Sequence, residues 1–132
     1  MTDQLVLAAQ AARLLAYAPY SGYLVGAAIL DSRGNIWTGC NVENISYGVS
    51  ICAERSAICT MISSGEREIC AVAVATRDGG TPCGLCLQTL LEFVRDPQKV
   101  QVVTVSDVGE PSVYVLGELI PHGFSSKDLR RT

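Results

Sequence analysis

The sequence predicts a three-layer α/β/α sandwich with a central mixed five-stranded sheet, and three observations carry that expectation. Helical and strand patterns alternate in the order α-β-β-α-β-α-β-β. The first two strands flank a turn-forming run and read as a hairpin, and helical segments join the later strands, which implies a sheet covered on both faces. With 132 residues, of which 48 % are hydrophobic, the chain is long and apolar enough for one packed core, so residues 1–132 read as a single domain.

In chain order, Leu5, Ala8, Ala9, Ala12 and Leu15 recur at helical spacing behind Thr2 or Asp3 as N-cap, so a helix is expected from residue 3 to about 16, ended by Pro19. Leu24 to Leu30 is a nearly continuous apolar run. Asp31-Ser32-Arg33-Gly34-Asn35 supplies turn chemistry, and Ile36 to Cys40 completes the hairpin. Asn41 to Ile51 has no period and reads as a binding loop held by the scaffold. Ala53, Ala57, Ile58, Met61 and Ile62 fit a helix from Cys52 to Ser64, stopped by Gly65. Ile69 to Thr76 is a buried strand, Leu87, Leu90, Leu91 and Val94 mark a helix from Cys83 to Val94, and Val100 to Ser106 and Val113 to Leu116 are the last two strands.

Two short stretches carry the chemistry: Cys52-Ala53-Glu54-Arg55 and Pro82-Cys83-Gly84-Leu85-Cys86. A Cys-x-x-Cys pair with a third, distant Cys suits a tetrahedral zinc site with three protein ligands and one open position, the mark of a catalytic site. Water in that position loses a proton near neutral pH, and Glu54, two residues from Cys52, is placed to shuttle protons. That placement requires the first turn of the helix, since in mid-helix a side chain two residues on points away. All three cysteines fall at helix starts, where free N–H groups and a partial positive charge favour thiolates. Arg55 can donate to thiolate sulfur and offset the formal negative charge of a three-thiolate zinc.

Other readings compete. Cys52, Cys83 and Cys86 could be buried core residues, Cys83 and Cys86 alone could be a redox pair, and a structural zinc site would want a fourth ligand, for which His122 is the single histidine. Glu54 could favour the helix dipole alone, and Arg55 could be a surface arginine. Cys40, Cys59 and Cys70 lie in predicted strand or helix cores away from the motifs and read as small hydrophobes. A formal charge of −3 opposes a surface for long nucleic acids, and Lys127, Arg130 and Arg131 form only a small terminal patch, read as a solvated tail. No apolar run reaches the length of a membrane span and no charged-then-apolar leader opens the chain, so a reducing cytoplasm is expected.

The combination of Cys-x-Glu with Pro-Cys-x-x-Cys resembles the zinc-dependent nucleobase and nucleoside deaminases, and within them the small cytidine deaminases with a three-cysteine zinc. Tyr17-Ala18-Pro19-Tyr20-Ser21, Val25-Gly26-Ala27-Ala28, Thr38-Gly39-Cys40-Asn41-Val42-Glu43-Asn44 and Ser46-Tyr47-Gly48 read like that family's motifs in its order, from about residue 10 to Phe124. The resemblance implies a cytidine deaminase-like fold and hydrolytic deamination of cytidine and 2′-deoxycytidine at C4, with Glu54 passing protons and backbone near Ala53 holding the base edge. It also implies that Asn41 and Glu43 bind the sugar hydroxyls, that Tyr23 stands where the family commonly has Phe against the base, and that the chain is a homotetramer. Tyr47 and Phe124 would reach a neighbouring subunit's pocket, Phe124 covering the base.

One departure stands out: the family's Cys-Arg-Gln run is Cys86-Leu87-Gln88 here, so a more negative zinc cluster is expected unless Arg77 or another cation compensates. The rival functions are deamination of a modified cytosine nucleoside such as blasticidin S and a non-catalytic zinc-stabilised domain. An editing deaminase would need a basic groove and stacking aromatics, and only 6 % of the residues are aromatic.

Overall fold

A computed structural model describes residues 2–125. The predicted basic patch at Lys127, Arg130 and Arg131 lies outside them. Through β5 the elements follow the expected order: α1 (Thr2–Arg13), β1 (Gly26–Asp31), β2 (Ile36–Cys40), α2 (Ala53–Ser63), β3 (Ile69–Ala75), α3 (Gly84–Glu92), β4 (Gln101–Val105) and β5 (Ser112–Val115), followed by a short α4 (Leu116–Leu119). The five strands form one mixed sheet in the order β2-β1-β3-β4-β5. β3 and β4 are parallel and joined through α3, while β1 pairs antiparallel with both β2 and β3. Among the described residues no helix is long and apolar enough to cross a membrane.

Strand alternation sorts the core into two layers. Ala27, Ile29, Val72, Val74 and Val102 face α2 and α3, where they meet Ala57, Ile58, Met61, Leu87 and Leu90. Ala28, Ala73, Ala75, Val103 and Val105 face α1 and pack on Leu5 and Ala9. Alanines make up much of the α1 side, and a Cβ on Gly26 would collide with the Ala9 carbonyl oxygen, so the helix rides close to the sheet.

Close approach on the α2 side depends on Gly39. A Cβ there would lie 2.7 Å from the Ala53 carbonyl oxygen and closer still to the Ala57 amide nitrogen, both backbone atoms of α2. A helix backbone cannot move aside as a side chain does, so Gly39→Ala should push α2 off the sheet and cost about 1–3 kcal/mol. Thermal unfolding checks this, and an unchanged midpoint would contradict it.

The hairpin turn is organised by Asp31. Its buried carboxylate accepts from Arg33 N at 2.8 Å, Asn35 N at 3.0 Å and Trp37 Nε1 at 2.8 Å. Burial opposes its charge, yet these hydrogen bonds outweigh it and hold its pKa below the usual carboxylate range.

Three details differ from the sequence reading. α1 ends at Arg13 instead of about residue 16, because Leu15 and Ala16 tighten into i−3 hydrogen bonds and Tyr17 N turns away to the Asn41 carbonyl at 3.0 Å. The four-residue α4 follows β5 where no helix was expected, being too short to show a period. Cys59 is exposed, not a core residue, because it shares the outer face of α2 with Thr60 and Ser63 while Ala57, Ile58 and Met61 take the inner one. Cys40 and Cys70 are half-buried.

Candidate metal centre and cleft

The loops entering α2 and α3 bring the three motif cysteines together. Cys52 is the N-cap of α2 and Cys83 the N-cap of α3, both in extended conformation, and their carbonyls accept the first helical hydrogen bonds from Ser56 N at 3.0 Å and Leu87 N at 2.9 Å. Cys86 follows in the first turn of α3 and is fully buried. The three sulfurs all lie within 4.8 Å of one another. Two sulfurs bound at about 2.3 Å to one tetrahedral zinc are roughly 3.8 Å apart. Cys83 Sγ and Cys86 Sγ stand 3.7 Å apart, which fits. His122 is not part of this cluster, so among the described residues it holds three ligands and no fourth.

Charge within the cluster is uneven. The Cys86 thiol donates to Cys52, and Arg55 adds a hydrogen bond and its charge, so Cys52 is lowered to about 5. Cys86 is pushed up by holding that shared proton and by burial. A divalent cation replaces such a shared proton and lets all three sulfurs ionise. Arg55 reaches the cluster with Nη2 3.8 Å from Cys52 Sγ and 3.3 Å from the Ser50 carbonyl. Its charge also acts on Cys86, and its buried Nε has no hydrogen-bond partner among the described residues. The donor set therefore suits thiolates bound to a metal.

Neither position 87, where the family's arginine is replaced by Leu, nor Arg77 takes part in the described contacts with sulfur. Leu87, 8 % exposed, packs in the core cluster with Ala53 and Ala57. Arg77 lies over the Tyr23 ring, 5.1 Å from its centroid. With compensation resting on Arg55, Arg55→Met should weaken zinc retention and activity about 10- to 100-fold. Competition with a chelator, read beside turnover, tests this; wild-type values in both would remove Arg55 from the site.

Beside the sulfurs opens a cleft of about 390 Å³ lined by Tyr23, Asn41, Glu43, Ala53 and Glu54 together with Cys52, Cys83 and Cys86. Glu54 sits in the first turn of α2, the one placement where its carboxylate can share a pocket with Cys52. It is only 4 % exposed. Burial, assisted by the neighbouring Cys52 thiolate, raises its pKa to about 7, so it both takes and gives a proton near neutrality.

Asn41 and Glu43 stand on the same wall, as alternate residues of an extended segment should. Asn41 ties that wall together, Nδ2 donating to the Tyr23 carbonyl at 2.8 Å and Oδ1 accepting from Val25 N at 2.9 Å. Glu43 accepts from the Ser21 hydroxyl and from Tyr20 N at 3.0 Å and Ser21 N at 3.1 Å; these bonds, led by Ser21, lower its pKa and keep it ionised. The Tyr23 hydroxyl donates to Asp78 at 2.5 Å.

Tyr47 and Phe124 do not line this cleft in their own chain; they are 73 % and 60 % exposed. The sequence reading missed Ser21, Val74, Thr76, Gly80 and Thr81, which also line it. Thr76 Oγ1 accepts from Gly79 N at 2.7 Å and Gly80 N at 3.2 Å and shapes the loop that leads to Cys83. The adjacent glycines were the one available signal of such a loop.

Comparison with known proteins gives a consistent result. The family model for the cytidine and deoxycytidylate deaminase zinc-binding region matches residues 1–104. A cytidine deaminase of Sporosarcina psychrophila is 38 % identical over 96 % of this chain and 93 % of its own length. One from Mycobacterium tuberculosis is 40 % identical over 88 % of this chain and 84 % of its own. The crystal structure of cytidine deaminase from Burkholderia pseudomallei superposes with a TM-score of 0.87 at 40 % identity, covering 94 % of this chain and 99 % of that one.

Proposed function

The chain belongs to the cytidine and deoxycytidylate deaminase family, and from that premise we propose that it hydrolyses cytidine and 2′-deoxycytidine to uridine and 2′-deoxyuridine, releasing ammonia. The observation that carries this reading is a buried carboxylate, Glu54, sharing one cleft with three clustered sulfurs. Cys52, Cys83 and Cys86 would hold the zinc. When bound, zinc supplies Lewis-acid activation of water at the position the three sulfurs leave open.

Glu54 takes the proton released as the water oxygen adds to C4 and delivers it to ring N3. It then carries the remaining hydroxyl proton to the departing amine, so one water is consumed and one ammonia leaves. Its pKa near 7 suits both directions of transfer. Ala53 lies at the start of α2, where the first backbone N–H groups have no helical partner and can face the base edge. Asn41 and Glu43 take the sugar hydroxyls; the ionised Glu43 is a strong acceptor for them. Tyr23 packs beside the base, its hydroxyl drawn aside by Asp78.

The same reading makes residues 1–132 one catalytic domain and the enzyme a homotetramer, with Tyr47 and Phe124 serving a neighbouring copy's cleft. Their exposure in the single chain supports this, as does the exposed apolar surface of Ile45, Val49 and Leu85. It places the reaction in pyrimidine salvage in the cytoplasm, where thiolate ligands stay reduced.

Ammonia release on a panel of cytidine, 2′-deoxycytidine, cytosine and blasticidin S tests the substrate. Turnover of the two nucleosides well above cytosine supports the sugar-binding role of Asn41 and Glu43. Preference for blasticidin S would overturn it.

A further inference from the structure

Among the described residues after α4, 121–125 lie in neither sheet nor helix, yet one side chain of α3 fixes Phe124. Gln88 Nε2 donates to the Phe124 carbonyl at 2.6 Å, and Gln88 Oε1 accepts from Phe124 N at 3.1 Å. A single carboxamide thus meets both backbone groups of one residue, as a neighbouring strand would. One turn along the same face of α3, Leu91 supports the preceding residue. A Cβ on Gly123 would collide with Leu91 Cδ2 and lie 2.9 Å from Ile120 Cγ1, so the chain passes flat against the helix there. Residues 123 and 124 are therefore held by two α3 positions three apart.

Two facts make this more than a local tether. Gln88 lies two residues beyond Cys86, so the segment is referenced to the helix that carries two of the clustered sulfurs. The ring it presents is 60 % exposed and lines no part of its own cleft. Ordering a backbone costs conformational entropy, and here the cost fixes an apolar side chain pointing away from its own core.

We propose that Gln88 is a positioning residue that sets Phe124 in place to cover a neighbouring copy's nucleoside cleft. This rests on the role given to Phe124 above. Gln88 touches no substrate; it acts through the backbone of residue 124, and its side-chain amide is required because both a donor and an acceptor are used. In Gln88→Glu the size is kept, but the donor is lost and a carboxylate oxygen faces the Phe124 carbonyl.

The test is steady-state kinetics on cytidine for the zinc-loaded wild type, Gln88→Glu, Phe124→Ala and the double variant, with zinc content and circular dichroism on each. Gln88→Glu should raise KM roughly fivefold, the scale of a lost hydrogen bond, with kcat within about twofold of wild type. Phe124→Ala should raise KM at least as much, and the double variant should be no worse than Phe124→Ala alone. Such non-additivity is the signature of one residue acting through the other.

A raised KM in Phe124→Ala beside an unchanged Gln88→Glu overturns the positioning role and leaves Phe124's role standing. Multiplying effects in the double variant overturn it as well, as does zinc loss in Gln88→Glu, which would place the effect in the metal helix. An unchanged KM in Phe124→Ala removes the cleft-covering role itself.

Discussion

Glu54→Gln should give a folded chain that still binds zinc but deaminates cytidine about 10³-fold more slowly or worse, the scale of a lost general acid–base group. Gln matches Glu in shape and hydrogen-bonding reach, so the buried first turn of α2 should be undisturbed. What disappears is the capacity to take a proton and give it back. The carboxyl of Glu54 is held near 7 by burial and by the charge of Cys52, and no other carboxylate among the residues lining the cleft is buried to this extent. Glu43 is held by Ser21 and Tyr20 on the wall segment it shares with Asn41 and stays ionised, so it cannot substitute. Single-turnover and steady-state rates should fall together while zinc content stays at the wild-type level. A variant with wild-type turnover would remove Glu54 from the mechanism.

Cys86→Ala should be as severe by another route. Cys86 is fully buried, and its sulfur lies 3.7 Å from that of Cys83 within the three-sulfur cluster. Its loss leaves two sulfurs on separate helix starts, so bound zinc should fall far below one per chain. Turnover should drop by at least about 10³-fold, since a Lewis acid supplies several kcal/mol of barrier lowering. Because the metal would join the starts of α2 and α3, the variant should also unfold at lower temperature than the wild type. Cys59→Ser is the matched control: Cys59 is exposed on the outer face of α2 and should keep both zinc and turnover. Retention of zinc by Cys86→Ala would contradict the ligand assignment, and loss of zinc in Cys59→Ser would contradict its specificity.

The clustering of the three sulfurs was readable in advance because it is written in local spacing. Cys83 and Cys86 are three apart at a helix start, and Cys52 begins another helix, so a few turns of backbone fix their direction. The place of Glu54 beside the sulfurs was readable on the condition that Cys52 be an N-cap, and it is. The sheet was readable for a similar reason, since the continuous apolar runs of β1 and β3 and the turn chemistry at Asp31 are local properties. The cleft walls were not. Thr76, Ser21 and Gly80 share that lining because β3 lies beside β1, a long-range consequence of topology. Tyr23 and Asp78 are likewise far apart in sequence, and nothing in either stretch announces their hydrogen bond.

The same limit explains two local misreadings. Helical period continues past Arg13 to Leu15, but Tyr17 N bonds to the Asn41 carbonyl, a partner 24 residues away that the local period does not show. Apolar composition made Cys59 look internal, yet the face it takes was set by which side of α2 Gly39 lets approach the sheet. Gln88 belongs with these cases, because its partner, Phe124, is 36 residues away.

Zinc titration of the metal-free protein, followed by ammonia release from cytidine, tests the central claim most directly. Turnover should be absent without metal, rise linearly with added zinc and level off at one zinc per chain, with one uridine formed for each ammonia. Full turnover in the metal-free protein, or a zinc-saturated chain that releases no ammonia from cytidine, would contradict it.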